Sequence, residues 1–226
     1  PGAVLVTGGL SLLVYAITEA GREGWLAGQT IAFFATSLAL LAAFVGWELR
    51  HPEPLMRFGI LQNRTLSGAN VAGFILGTSL FSMFLMLTLY MQQVLDFSAM
   101  ETGIAYLAVA GTSIIWAMVA QMLVTKSGVK PVLVTGMSLL TVGLVYFTQV
   151  SVEGTSLRDL LPGFLVIAMG MAFAFVSISI AALAGVQERE AGLASGLIST
   201  AQQIGGAIGV AVASSVSLSH FDSELS

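Results

Sequence analysis

The chain has 226 residues, of which 56% are hydrophobic and only 9% are charged, whereas a soluble domain is about 45–50% apolar and about 25% charged. This composition excludes an ordinary soluble domain and predicts an integral membrane protein. The chain contains no cysteine, which excludes disulfides, thiolate metal sites and cysteine nucleophiles. Its net charge of -4 carries little information, because the placement of lysine and arginine matters more in a membrane.

Seven charge-poor stretches are long enough, at about 20 residues, to cross roughly 30 Å of hydrocarbon. In chain order they are 3–19, 28–47, 68–93, 102–124, 131–150, 161–184 and 192–217. Lipid offers no partner to backbone N–H and C=O groups, and the alternating pattern of a barrel strand is absent, so each stretch is predicted to be a helix. The predicted fold class is an all-α membrane protein with seven transmembrane helices.

The first two spans form a predicted transmembrane hairpin over residues 1–47. A polar connector, 48–67, follows them, and its Pro52 and Pro54 prevent the second helix from continuing. Its mixed charge predicts a cytoplasmic loop or surface helix that separates the hairpin from a helical bundle, 68–226. The connector either couples moving halves or is a spacer anchored at the headgroups by its arginines.

Spans three to six carry several polar or aromatic side chains near mid-depth. Those considered for substrate binding are Phe81, Thr112, Trp116 and Ser177. The alternatives are packing or lipid contact for the phenylalanine, and hydrogen bonds back to their own helix for the hydroxyl groups. The third span also contains Gly73 and Gly77, four residues apart, a spacing typical of close helix packing.

The last span, "GLASGLISTAQQIGGAIGVAV", is apolar but rich in small residues. At 100° per residue its small side chains fall within one half of the helix and its leucines and isoleucines in the other. The small half is predicted to face protein and the other half lipid. The spacings that indicate close packing there are Gly192/Gly196 and Gly205/Gly209.

Two adjacent amides, Gln202 and Gln203, lie within the small-residue half of this span. A rise of 1.5 Å per residue places them roughly 15–17 Å deep, close to the bilayer midplane. An amide buried there needs a partner or a water-filled cavity. Either glutamine therefore lines a substrate cavity or forms a hydrogen bond between helices, and the sequence leaves both possibilities open.

Basic residues lie mainly in alternate connectors. If Pro1 is cytoplasmic, six of the eight lysines and arginines fall on the inner side and two on the outer side. The inner ones are Arg50, Arg57, Arg64, Lys126, Lys130 and Arg189, and the outer ones are Arg22 and Arg158. The positive-inside rule then predicts a cytoplasmic start and an external end.

No acidic or basic side chain lies firmly within a span, and both histidines lie outside the spans. Proton relays, retinal attachment, voltage sensing and most intramembrane hydrolysis need an ionisable or metal-binding group at depth. A glycine-rich phosphate loop with its lysine is also absent. We therefore expect no enzymatic activity, cofactor, metal or nucleic-acid partner. The rival hypotheses are a self-contained seven-span receptor or membrane enzyme, and a membrane scaffold.

Four segments carry a family resemblance: "GAVLVTGGLSLLVYAITEAGREGW", "EPLMRFGILQNRTLSGANVAGFILG", "LTLYMQQVLDFSAMETGIAYLA" and "AGLASGLISTAQQIGGAIGVAV". They resemble the second half of the drug:proton antiporters with fourteen spans, the EmrB/QacA branch of the major facilitator superfamily. The resemblance implies that the hairpin is the one inserted between the two six-helix bundles, and that spans three to seven are the first five helices of the second bundle. Because the chain starts at Pro1, it is interpreted as a C-terminal fragment.

The resemblance also implies a function: proton-driven export of lipophilic or cationic small molecules by alternating access, in the inner membrane. The implied partners are protons, membrane lipids and the missing N-terminal half, which would hold the proton-carrying acid. "KSGVK" resembles the second copy of a cytoplasmic motif, with Gly128 at the turn and Lys126 and Lys130 at the inner surface. The alternative is that these lysines are ordinary positive-inside anchors.

Overall fold

A computed structural model describes residues 2–51, 62–149 and 157–225. Within these ranges the chain folds into seven long helices and contains no strand. The helices are α1 Gly2–Glu23, α2 Gly28–Glu48, α3 Arg64–Leu89, α4 Ala99–Ser127, α5 Val129–Phe147, α6 Leu157–Leu183 and α7 Ala191–Leu225. All seven are long and apolar enough to cross a membrane, so the predicted all-α membrane fold is confirmed.

Some sequence predictions fall outside the described residues. Pro52, Pro54 and Arg57 lie in the undescribed part of the connector, so the boundaries proposed for it remain predictions. The side chains of Arg22, Arg158 and Arg189 are likewise outside the description.

Polar caps fix where α3 and α4 begin. The Asn63 side chain accepts hydrogen bonds from the backbone N–H of Thr65 at 2.9 Å and of Leu66 at 3.3 Å. Its amide nitrogen also donates to the carbonyl of Ala184 at 3.1 Å, which ties the start of α3 to the turn after α6. Ser98 and Glu101 form a reciprocal capping box at the start of α4.

The far end of α3 departs from regular α-helix. The α-helical hydrogen bonds stop at Leu89, and residues Tyr90–Val94 form one π-helical turn. Asp96 then adopts a φ of +54°, and the N–H of Phe97 donates to the carbonyl of Met91 at 2.9 Å. The predicted span 68–93 therefore ends in a wide turn that hydropathy does not indicate.

The most extensive helix contacts are between α3 and α7, between α5 and α6, between α1 and α2, and between α4 and α6. Helix α6 lies deepest: Ile167, Ala174 and Ile178 are fully buried there. The main core also includes Leu66 and Leu76 from α3. The hairpin contacts this bundle through α1, which packs against α7.

A hydrogen bond joins the two helices of the hairpin. The buried hydroxyl of Ser37 on α2 donates to the carbonyl of Gly9 on α1 at 2.8 Å. The side chain of Leu41 lies so close to Gly9 that a methyl group at Gly9 would clash with it. The rings of Tyr15 and Phe33 meet edge to face, with centroids 5.1 Å apart. Small residues thus let α1 and α2 approach closely enough to share a polar contact.

Candidate functional site

Helices α3 and α7 run parallel and touch backbone to backbone. A methyl group at Gly77 would overlap the carbonyl of Gln202, and one at Gly205 would overlap the carbonyl of Phe74. Gly209 lies equally close to Thr78. Glycine is required at these positions by the approach of the neighbouring backbone, and we call this contact the α3–α7 seam.

Gln202 lies in the seam. Its side chain is half-buried, and its Cγ would be 3.4 Å from a methyl group placed at Gly73. Ile198, which is buried one turn earlier on α7, approaches the same glycine at 3.8 Å. The missing side chain at Gly73 thus provides the space in which Gln202 packs against α3.

Gln203 faces in another direction, into a groove between α1, α3 and α7. The groove has a volume of about 410 Å³. Its lining residues are Val14, Thr18, Phe81, Gln203, Gly206, Ala207, Val210, Ala211 and Ser214. Phe81 is half-exposed and its ring lies directly over Gly206, so an aromatic face and an amide lie on the same surface.

The groove is apolar, with a few uncharged polar groups. None of its lining residues carries a charge. The Thr18 hydroxyl already donates to the carbonyl of Val14 at 3.0 Å, which leaves the Gln203 amide and the Ser214 hydroxyl as its more available polar groups. Such a surface suits a flat, largely apolar molecule that forms one or two hydrogen bonds.

The remaining residues considered for substrate binding lie elsewhere. Trp116 on α4 packs edge to face on Phe173 of α6, with ring centroids 6.1 Å apart, and belongs to a small core with Ala120. Ser177 on α6 is fully buried, and its hydroxyl has no hydrogen-bond partner among the described residues. Thr112 is half-buried on α4. The structure thus brings Gln203 and Phe81 together, whereas none of these three lines their groove.

The first two turns of α7 differ from the predicted packing surface. Gly192 and Gly196 are exposed, and a methyl group at either would meet nothing within 4 Å. The buried positions there are Ala194 and Ile198, before the contact continues through Gly205. A helical wheel assumes one contact face along the whole helix, whereas α7 meets α3 closely only beyond its second turn.

The turn between α4 and α5 consists of Gly128 alone. It ends α4 and begins α5, with φ +84° and ψ 169°, a conformation open essentially only to glycine. Lys126 and Lys130 on either side are exposed. This geometry fits both the proposed cytoplasmic motif and ordinary surface anchors.

Sequence reasoning missed a polar and aromatic cluster at the far end of α3. The Tyr106 hydroxyl on α4 lies 2.9 Å from the Thr88 hydroxyl on α3 and donates to the Phe84 carbonyl at 3.1 Å. A tyrosine within an apolar span is the signal that could have drawn attention to it. A hydropathy value counts Tyr106 as one residue of an apolar span and does not show that its hydroxyl bonds to another helix.

A second cavity, of about 470 Å³, opens beside this cluster between α3, α5 and α6. Its lining residues are Ser79, Ser82, Met83, Met86, Leu87, Tyr90, Leu144, Phe147, Thr148 and Leu160. None of them is among the residues that the sequence predicted to bind substrate.

Comparisons with known proteins identify the family. A sequence profile described as the Major Facilitator Superfamily matches residues 2–210. The chain is similar to a puromycin resistance protein of Streptomyces alboniger, 31% identical over 220 residues, which are 96% of this chain and 44% of the relative. It is similar to a lincomycin resistance protein of Streptomyces lincolnensis, 31% identical over 219 residues, which are 97% of this chain and 45% of the relative.

A tetracenomycin C resistance and export protein of Streptomyces glaucescens is 29% identical over 212 residues, which are 93% of this chain and 39% of the relative. The chain thus spans less than half the length of these relatives. Because the matching family consists of transporters, the chain is not a membrane enzyme, which was one of the alternatives. With seven helices able to span a membrane and a profile match over nearly its whole length, the chain belongs to the Major Facilitator Superfamily of membrane transporters.

Proposed function

We propose that this chain is the carboxyl-terminal part of a proton-driven exporter of drug-like small molecules, of the fourteen-span branch. The observation that carries the proposal is the set of relatives that match nearly all of the chain and are named for resistance to, or export of, antibiotics. The proposal assigns the proton-carrying carboxyl to the amino-terminal half of the transporter, and it places the start of this chain on the cytoplasmic side of the inner membrane.

Alternating access requires helices that move together as a rigid bundle around a central site. The α3–α7 seam supports this mechanism, because backbone contacts at Gly77 and Gly205 leave little room for one helix to slide along the other. In this proposal α3 and α7 rock as one body. Lys126, Gly128 and Lys130 are proposed to lie at the cytoplasmic surface, in the turn between α4 and α5.

The groove beside the seam is the proposed substrate surface. Phe81 would stack on a flat apolar part of the substrate, and Gln203 would form a hydrogen bond to a polar group. Gln202 has a different proposed role, which is to pack against Gly73. The proposed substrates are therefore lipophilic molecules with few charges facing this groove.

Everted membrane vesicles containing the full-length transporter test the proposal. An acidic vesicle interior should drive accumulation of puromycin, lincomycin or the lipophilic cation ethidium, and a protonophore should abolish it. If none of the three accumulates in a proton-dependent way, the proposed function is wrong.

The same assay tests the groove. Gln203→Leu should raise the KM for a transported substrate about three- to tenfold, the effect expected when one neutral hydrogen bond is lost. Gln121→Leu is the matched control, because Gln121 is exposed on α4 and does not line the groove. Equal KM values for both variants and the unmodified transporter would place the substrate elsewhere.

A further inference from the structure

Two hydroxyl groups join α3 to α4 near the far end of α3. The Thr88 hydroxyl lies 2.7 Å from the Phe84 carbonyl and donates to it. The Tyr106 hydroxyl then donates either to the Thr88 oxygen, 2.9 Å away, or to the same carbonyl at 3.1 Å. Two hydroxyl protons are thus shared among three oxygens, those of Thr88, Tyr106 and the Phe84 carbonyl, in a partly buried site.

The Tyr106 ring is held as firmly as its hydroxyl. It meets Phe84 edge to face, with centroids 5.0 Å apart, and Phe164 of α6 with centroids 5.9 Å apart. Elsewhere the main neighbour of α4 is α6, and that of α3 is α7. Tyr106 is thus the principal polar link between α3 and α4.

The polar link sits where α3 loses its regular geometry. Two residues beyond Thr88 the chain enters the π-turn Tyr90–Val94, and Asp96 follows with a φ of +54°. A π-turn replaces tight helical hydrogen bonds with wider ones and often lies at functional sites. This end of α3 is therefore held by wider backbone hydrogen bonds than the rest of the helix.

The same end of α3 forms a wall of the second cavity. Met86, Leu87 and Tyr90 line it together with Phe147 of α5. A displacement of α3 between Phe84 and Tyr90, the stretch that carries Thr88 and these lining residues, changes the opening of that cavity. A group that fixes this end therefore also fixes access to the cavity.

We propose that the hydroxyl pair of Thr88 and Tyr106 is a latch that holds the π-turned end of α3 against α4 and so limits access to the cavity between α3, α5 and α6. When the latch breaks, the end of α3 moves and exposes the cavity wall. Only the relevance of this movement to export rests on the proposed function. The geometry of the latch does not depend on the substrate or the driving ion.

Cysteine labelling tests the latch. This chain contains no cysteine. In a full-length transporter whose remaining part is made cysteine-free, Met86→Cys is therefore a single reporter in the cavity wall. Tyr106→Phe should accelerate its reaction with a thiol reagent about fivefold, which corresponds to about 1 kcal/mol. Thr88→Val should accelerate it less, because the Tyr106 hydroxyl still donates to the Phe84 carbonyl. Thr88→Ser retains the hydroxyl and should restore a rate within twofold of the unmodified latch.

Two controls separate a latch from a general loss of stability. Thr141→Val removes a hydroxyl that bonds only to the Met137 carbonyl of its own helix, at 2.9 Å, and should leave the labelling rate unchanged. A cysteine at Ile198, buried far from the cavity, should react no faster in Tyr106→Phe. Unchanged labelling at Met86, or equal acceleration at both reporters, overturns the latch. Because labelling needs no transport, these outcomes are distinct from failure of the exporter proposal.

Discussion

A glycine matters in this protein according to what its missing side chain would meet. Gly196 and Gly205 lie nine residues apart on α7 and both belong to pairs with the same four-residue spacing. A methyl group at Gly205 would overlap the α3 backbone, whereas one at Gly196 would meet nothing within 4 Å. The four-residue spacing therefore does not by itself identify where close packing occurs.

We expect Gly205→Ala to lower the free energy of unfolding by about 1–3 kcal/mol, because α3 and α7 must separate to admit the methyl group. Gly196→Ala should not destabilise the protein and should add up to about 1 kcal/mol of stability, because alanine favours the helix and its methyl group meets nothing within 4 Å. Thermal unfolding of the purified variants measures both. Equal destabilisation by the two substitutions would mean that the seam does not depend on backbone contact.

The sequence located the two glutamines near mid-depth but could not distinguish their roles. Neighbouring residues on a helix point about 100° apart, so Gln202 and Gln203 face different surfaces in the structure. Which one meets α3 depends on how α7 crosses its neighbour. That crossing is set by Gly73, Gly77 and Phe74, more than a hundred residues away in sequence, and no local pattern contains it.

At the scale of helices, the sequence predicted more than at the scale of residues. All seven predicted spans overlap the observed helices. In lipid, an uncharged stretch of this length can satisfy its backbone hydrogen bonds only as a helix, since no barrel pattern is present. The π-turn at Tyr90–Val94 was not predicted, since residues in a wide turn have the same hydropathy as residues in a regular one. The hairpin bond between Ser37 and Gly9 was also missed, because a serine within a span usually bonds to its own helix.

That hairpin bond leads to a measurable difference between neighbouring residues. Ser37→Ala should destabilise the packing of α1 on α2 by about 0.6 kcal/mol, the average for hydrogen bonds between membrane helices, and by at most about 1.7 kcal/mol. Thr36→Ala is the control, since the Thr36 hydroxyl bonds to the Ala32 carbonyl of its own helix at 2.8 Å and is exposed. The loss can be detected by expressing α1 and α2 as separate peptides and measuring their association in a membrane by fluorescence energy transfer. Identical association of both variants would show that the bond contributes nothing.

At the scale of the whole molecule, the orientation in the membrane rests on charge. Six of eight basic residues fall in connectors on one side, and the positive-inside rule assigns that side to the cytoplasm. This assignment predicts that the two ends of the described chain lie on opposite sides of the membrane. The ends of α5 therefore provide a test of the assignment.

We predict that Ser127→Cys is cytoplasmic and Gln149→Cys is external, because the two exposed residues flank α5 at opposite ends. A membrane-impermeant thiol reagent applied to intact cells should label the second variant and not the first. Lysed cells should give labelling of both. The reverse pattern in intact cells would invert the proposed orientation.

The backbone conformation of Gly128, the only residue between α4 and α5, limits which mutations are tolerated at this position. Its φ of +84° and ψ of 169° impose a penalty of the order of 1–3 kcal/mol on a residue with a side chain, although a methyl group there would meet no atom within 4 Å. The penalty comes from the backbone alone and is nearly independent of the chemistry of the new residue. Every missense change at this codon, conservative or radical, should therefore carry a similar cost in stability.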